Sequence, residues 1–174
     1  MSNIKKNVIS FDYDGTIDHH FGNGDKNPYL KQIRDYIKRL KRRGYEVYII
    51  TRRYGPENAN LGLMNEHLKV LNTARELGIP EECVIFTNRK WKFSFIESIG
   101  ACMHIDDDDR EKYWIERHLP NVAMIWLGDK NWERKLIEEI DKHDHLQIWL
   151  NDEKNILALG IVVAIILLAS LILL

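Results

Sequence analysis

The sequence predicts an α/β domain, a Rossmann-like parallel sheet with helices on both faces. Short apolar runs alternate with amphipathic segments in the order βαβαβαβαβα between residues 7 and 143, the pattern of parallel strands joined by helical crossovers. Proline and glycine mark the joints: Pro28 opens one helical stretch, and Gly44, Gly78 and Gly100 close three. Four of the five strand ends carry polar groups able to do chemistry. In such sheets, ligands bind at the carboxyl ends of the strands, near the point where the strand order reverses.

The elements follow in order. NVISF, residues 7–11, is the first strand. Residues 28–43 form a helix, because Leu30, Ile33, Ile37 and Leu40 recur at helical spacing. Asn27 is placed to cap it and Pro28 takes its first position. YEVYIIT, residues 45–51, is the second strand, and residues 56–77 read as one helix ending at Gly78. CVIFT (83–87) is the third strand, and KFSFIESIG (92–100) is a short helix closed by glycine. CMHID (102–106) is the fourth strand, followed by a helix over 109–118. VAMIWL (122–127) is the fifth strand, and NWERKLIEEIDKH (131–143) is the last helix.

The 174 residues suggest one domain over 1–150, a polar linker at 151–155 and a terminal segment over 156–174. That segment, ILALGIVVAIILLASLILL, has no charge in 19 residues. At about 1.5 Å per residue it just crosses a hydrocarbon core of about 30 Å. It reads as a transmembrane tail anchor that leaves the domain in the cytoplasm. Gly160 and Ala164 form one small-xxx-small pair, which suits weak self-association of such a helix into a homodimer.

Charged residues are 29% and hydrophobic ones 45% of the chain, a globular rather than disordered balance. Residues 1–54 carry 12 Lys and Arg against 6 Asp and Glu, so the first third is basic. The basic run 31–44 reads as the solvated face of a helix, and it is also what would attract nucleic acid or an anionic surface. Cys83 and Cys102 sit at the edges of apolar runs and read as buried core thiols. Their spacing matches no metal or redox motif.

FDYDGT, residues 11–16, ends the first strand with two aspartates two positions apart. Carboxylates held that close repel unless a cation lies between them. HIDDDD, residues 104–109, ends the fourth strand the same way. A phosphomonoester dianion also repels carboxylates, and Mg2+ takes oxygen ligands while keeping several waters. The two acidic strand ends therefore pose a choice between a site of metal-assisted phosphoryl transfer and solvated acidic turns. Asp108 and Asp109 read instead as the start of the next helix, where acids meet the positive end of its dipole.

These motifs together resemble the haloacid dehalogenase-like (HAD) phosphatase superfamily, over roughly residues 7–127. FDYDGT is similar to its first motif, and VYIIT, closing on Thr51, to its second. Lys92, opening the 92–100 helix, is similar to its lysine motif, with Lys90 as the alternative. HIDDDD is similar to its acidic fourth motif. The resemblance implies a phosphatase in which Asp12 attacks phosphorus and forms an aspartyl-phosphate. It makes Asp14 the acid and then the base. Gly15 admits the phosphate close to the backbone, Thr51 bonds a phosphoryl oxygen, and Lys92 neutralises developing charge. Magnesium is held by Asp12, Asp106 or Asp107, and the Asp14 carbonyl. Arg52 and Arg53, beside Thr51, are placed either to grip a second anionic group on the phosphorylated substrate or to face only solvent.

Neither the stretch 16–45 nor the second gap has room for a folded cap, so the implied site is open. Asp18, His19 and His20 read as solvated loop residues, His104 as a strand residue rather than a ligand, and the tryptophans as packing. Two other functions fit the same residues. One is a nucleotidase or polynucleotide phosphatase of the same superfamily. The other is a membrane-tethered binding module that keeps the fold without the catalysis.

Overall fold

The computed structural model describes residues 7–19, 27–61 and 65–151. The chain divides into two compact units, Met1–Trp132 and Glu133–Leu174. The first contains a five-stranded sheet in the order β3-β2-β1-β4-β5. Its strands are β1 (Val8–Phe11), β2 (Glu46–Thr51), β3 (Val84–Phe86), β4 (Met103–Asp106) and β5 (Ala123–Trp126). Every pairing is parallel. The helices are α1 (Leu30–Arg42), α2 (Glu66–Glu76), α3 (Phe93–Ile99), α4 (Asp109–His118) and α5 (Trp132–Asn151).

The chain steps one way from β1 to β3, then crosses over and steps the other way from β4 to β5. Right-handed crossovers therefore send α1 and α2 to one face and α3 and α4 to the other. Side-chain alternation sorts the core accordingly. Val8, Ile50, Ile96, Ala101, Ile115 and Leu119 form one cluster, joined by Phe93 and Ile99 of α3 and by Met124 of β5. Ile9, Phe11, Val47, Ile49, Met103 and Ile105 fall on the opposite face and are buried. On α1, Ile33, Ile37 and Leu40 are buried at helical spacing. Burying each contributes about 1.5–3 kcal/mol, so truncating Ile37 to alanine costs roughly 2–5 kcal/mol.

Several local expectations are corrected. The single helix over 56–77 is two pieces, a 3-10 segment Pro56–Leu61 and then α2. Asn65 precedes α2 with φ 65°, a left-handed conformation that asparagine tolerates and a helix interior does not. Asn27 does not cap α1, whose N-cap is Tyr29. Instead its Oδ1 accepts from Tyr29 N at 2.8 Å, an Asx turn one step ahead of the helix. The last helix runs past 143 to Asn151, into the expected linker. Cys83 is buried as expected, while Cys102 is only half-buried.

Between β1 and β2 the described residues hold only α1, and between β2 and β3 only α2 and two 3-10 segments, Pro56–Leu61 and Glu81–Cys83. Among the described residues, no helix is long and apolar enough to cross a membrane. The expected anchor, 156–174, and His20 lie outside them.

Candidate functional site

The strand order reverses between β1 and β4, and an aspartate stands at the carboxyl end of each. Asp12 follows β1, and its N–H donates to Ile105 O at 2.8 Å, adding one rung to the parallel ladder. Asp106 is the last residue of β4. Lys92 joins them. It is the N-cap residue of α3, it is 2% exposed, and its Nζ donates to Asp12 Oδ1 at 2.5 Å and to Asp106 Oδ2 at 2.6 Å. Lys90, the other candidate, is exposed.

One ammonium serves two buried carboxylates at nearly equal distances. Burial pushes the Asp12 carboxyl well above the usual range, Lys92 pulls it down, and Asp106 and Asp107 push it up again. Burial also raises Asp106, but Lys92 and His104 more than offset it and hold that carboxyl far below the usual range. The lysine's own pKa is lowered by burial but raised further by Asp106, Asp12 and Glu111, so it stays charged. Asp106 also takes bonds from His104 Nε2 and the Asp108 N–H, so Asp12 is the carboxylate with fewer donors.

Asp12, Asp106 and Asp107 each bring one oxygen into a group spanning no more than 4.8 Å. Three carboxylate oxygens gathered this closely fit a hard divalent cation such as magnesium. Thr16 Oγ1 donates to Asp107 Oδ1 at 3.3 Å, and Trp126 Nε1 donates to Asp107 O at 2.9 Å. The threonine of the DGT turn thereby positions an aspartate 91 residues away. The Asp14 side chain is not in this group.

Asp14 is held elsewhere. Arg53 Nε donates to both its oxygens at 3.2 and 3.0 Å, and Nη2 donates to Oδ1 at 2.6 Å. Arg53 is 3% exposed, and its Nη1 donates to Glu66 O at 2.9 Å. It therefore faces inward and ties the first motif to the start of α2, rather than standing ready for a second anion on the substrate. Gly15 has φ 80°, which its missing Cβ permits, and its N–H donates to Asp18 O at 3.0 Å. Thr51 is fully buried, and its Oγ1 accepts from Arg53 N at 3.3 Å.

An open cleft of about 840 Å³ lies over these strand ends, lined by Asp12, Asp14, Lys92, Asp107 and Trp126. Arg52, Arg89 and Arg110 also line it, with Asp108 and Asp109. Asp108 is the N-cap of α4 and accepts from Arg110 N, as its place in the acidic run predicts. Thr51 and Gly15 are not among the described residues of the cleft wall.

Three features were not read from the sequence. His104 is fully buried, with Nε2 at 3.1 Å from Asp106 Oδ2 and Nδ1 at 2.8 Å from Ser10 Oγ. A carboxylate only accepts, so Nε2 carries the proton and Nδ1 accepts from the serine hydroxyl. Alternation does place His104 opposite Ile105, but only the register Ser10↔His104 reveals the serine. Glu111 is fully buried on α4 and accepts from Lys92 N at 3.2 Å. Asp18 is buried rather than solvated, and it pairs with Lys69 of α2 and with the Tyr13 hydroxyl.

No protein-family model matches this chain, and no curated protein matches it.

Proposed function

We propose that this chain is a magnesium-dependent phosphomonoester hydrolase of the HAD-like type, working through an aspartyl-phosphate on Asp12. The observation that carries the reading is the buried Lys92 bridge between Asp12 and Asp106. It stands beside three carboxylates able to hold a divalent cation. A solvated turn has no use for a buried lysine between two buried aspartates, because burying charge is costly unless function or pairing requires it.

Asp12, Asp106 and Asp107 are the residues that would hold magnesium, and the resemblance adds the Asp14 carbonyl. When bound there, the ion screens the substrate phosphate from the carboxylates and draws off charge from the phosphoryl oxygens. Lys92 occupies Asp12 Oδ1, and no described residue donates to Oδ2, which is the attacking atom. That oxygen bonds to phosphorus as the bond from phosphorus to the ester oxygen breaks. The leaving oxygen takes a proton from Asp14. Asp14, now ionised, takes a proton from water as the water oxygen attacks the same phosphorus. The acyl-phosphate bond breaks, Asp12 returns as a carboxylate, and orthophosphate leaves. Arg53 holds ionised Asp14 in place between the two proton transfers.

Hydrolysis of an aryl phosphate with and without magnesium, beside Asp12→Asn, tests the reading. Magnesium-dependent release of phosphate that Asp12→Asn abolishes supports it. Turnover that survives Asp12→Asn contradicts it, and so does a folded, magnesium-loaded protein that hydrolyses no phosphomonoester of a broad panel.

The proposal also tethers the domain to a membrane. Its support is the uncharged run 156–174. Deleting 151–174 shifts the protein from the membrane fraction to the soluble one under this reading. An unchanged distribution rules the tether out.

A further inference from the structure

We infer that Arg52 and Arg89 form a second anion subsite, and that the substrate is a bis-anionic phosphoester whose phosphoryl group is accompanied by a second phosphate or carboxylate. The inference rests on the phosphatase reading and adds the substrate class to it.

The cations in and around the cleft are not equivalent. Lys92 is spent on Asp12 and Asp106, and Arg53 on Asp14. Arg110 is gripped by Asp108, with Nε and Nη2 at 3.0 and 2.9 Å from its oxygens. Arg52 and Arg89 remain. Arg52 lies over the Trp91 ring at 4.7 Å. Its Nε stands 3.7 Å from Glu111 Oε1, beyond hydrogen-bond range, and both atoms are buried with no hydrogen-bond partner. Arg89 lies over Tyr54 at 5.4 Å, and no described carboxylate pairs with it. Each guanidinium is positioned by an aromatic face; Arg89 keeps its fork and Arg52 its Nη1 edge for a ligand, since Arg52 Nε faces Glu111 and Nη2 is used within the protein.

The two residues are built as a pair. Arg89 N donates to Arg52 O at 2.9 Å, and Arg52 Nη2 donates to Arg89 O at 3.0 Å. Asn88 N donates to Arg53 O at 3.3 Å, and Asn88 Oδ1 accepts from Gly55 N at 2.9 Å. The loops after β2 and β3 are thus stitched into one ledge beside the catalytic strand ends. Asn88 and Arg89 have φ 52° and 67°. Asparagine tolerates that conformation and arginine does not. A strained backbone that keeps a long cationic side chain at a cleft marks a position held for binding. One phosphoryl group is already provided for by Asp12 and the cation that the carboxylate cluster would hold. Two further guanidiniums call for a second anion, and their planar forks match phosphate or carboxylate.

The test is calorimetric binding to the full chain with magnesium. The probes are alkanediol bisphosphates, ω-carboxyalkyl phosphates and alkyl monophosphates matched in chain length. Wild type binds a member of one bis-anionic series about tenfold or more tighter than its monophosphate. The series that shows the preference identifies the second group. Arg89→Asn keeps a residue suited to left-handed backbone, so the ledge folds, and it brings that ratio to within about twofold of unity. Arg52→Ala does the same. A wild-type ratio near one, or a ratio that Arg89→Asn leaves intact, overturns the subsite. Turnover of monophosphates without any bis-anionic preference sinks the subsite and leaves the phosphatase standing. A bis-anionic preference with no turnover of any ester does the reverse.

Discussion

Lys92 Nζ stands 2.5 Å from Asp12 Oδ1, joining residues 80 positions apart. The same ammonium holds Asp106, so the ends of β1 and β4 share one buried cation. Lys92→Met leaves two buried carboxylates facing each other. Removing one partner of a buried ion pair costs about 3–5 kcal/mol. Denaturant unfolding without magnesium shows that loss, and added magnesium restores more stability to the variant than to wild type. Phosphatase activity falls by about a thousandfold, in line with loss of a preorganised charge at the reacting group. Equal magnesium shifts in the two proteins count against a shared charge centre.

Asp107 offers the third oxygen of the cluster. Magnesium at a hundredfold over its Kd stabilises the fold by about 2.7 kcal/mol, or roughly 5–10 °C in Tm for a chain of this size. Asp107→Asn removes most of that shift, while calcium or magnesium chelation in wild type reproduces the variant's melting curve. A variant that keeps the full shift places the ion elsewhere.

The sequence made the strand ends legible and left their wiring dark. Asp12 and Asp106 stand out because each closes an apolar strand, and Lys92 because it opens a helix. The partner of Asp14 does not stand out, because Arg53 reaches it across 39 positions and its sequence neighbours say nothing of that. Arg52 and Arg53 read alike side by side, yet one lines the cleft and the other is buried. His104 needed the β1–β4 register to meet Ser10, and register between distant strands is not a local property. The break at Asn65 was hidden because residues on both sides of it favour helix.

Arg89 and its neighbour Asn88 share left-handed backbone but lead to opposite outcomes. Arg89→Gly relieves the strain and raises stability by about 0.5–1 kcal/mol. Asn88→Gly relieves little, because asparagine tolerates the conformation. It also removes the bonds to Gly55 N and Glu57, so stability falls. Urea midpoints of the two variants on either side of wild type bear this out, and midpoints on the same side do not.

Asp18 ties the loop after β1 to α2 through Lys69. Burial raises its pKa, while Lys69, the His19 backbone and the Tyr13 hydroxyl lower it by more, so the net direction is down. A carboxyl depressed in the folded state adds stability above its unfolded pKa, about 4, and loses it as pH falls through the folded value. Wild type therefore destabilises more steeply than Asp18→Asn below about pH 4. Parallel pH profiles for the two proteins show that the pair contributes nothing.

The central claim is that Asp12 becomes phosphorylated. The direct measurement is mass spectrometry of the acid-quenched full chain carrying Asp14→Asn, after brief exposure to an aryl phosphate and magnesium. Asparagine cannot activate water, so the intermediate accumulates. The account predicts one phosphoryl group on the peptide containing Asp12, absent when Asp12→Asn is added. A label on another residue, or release of phosphate with no covalent label at any quench time, contradicts it.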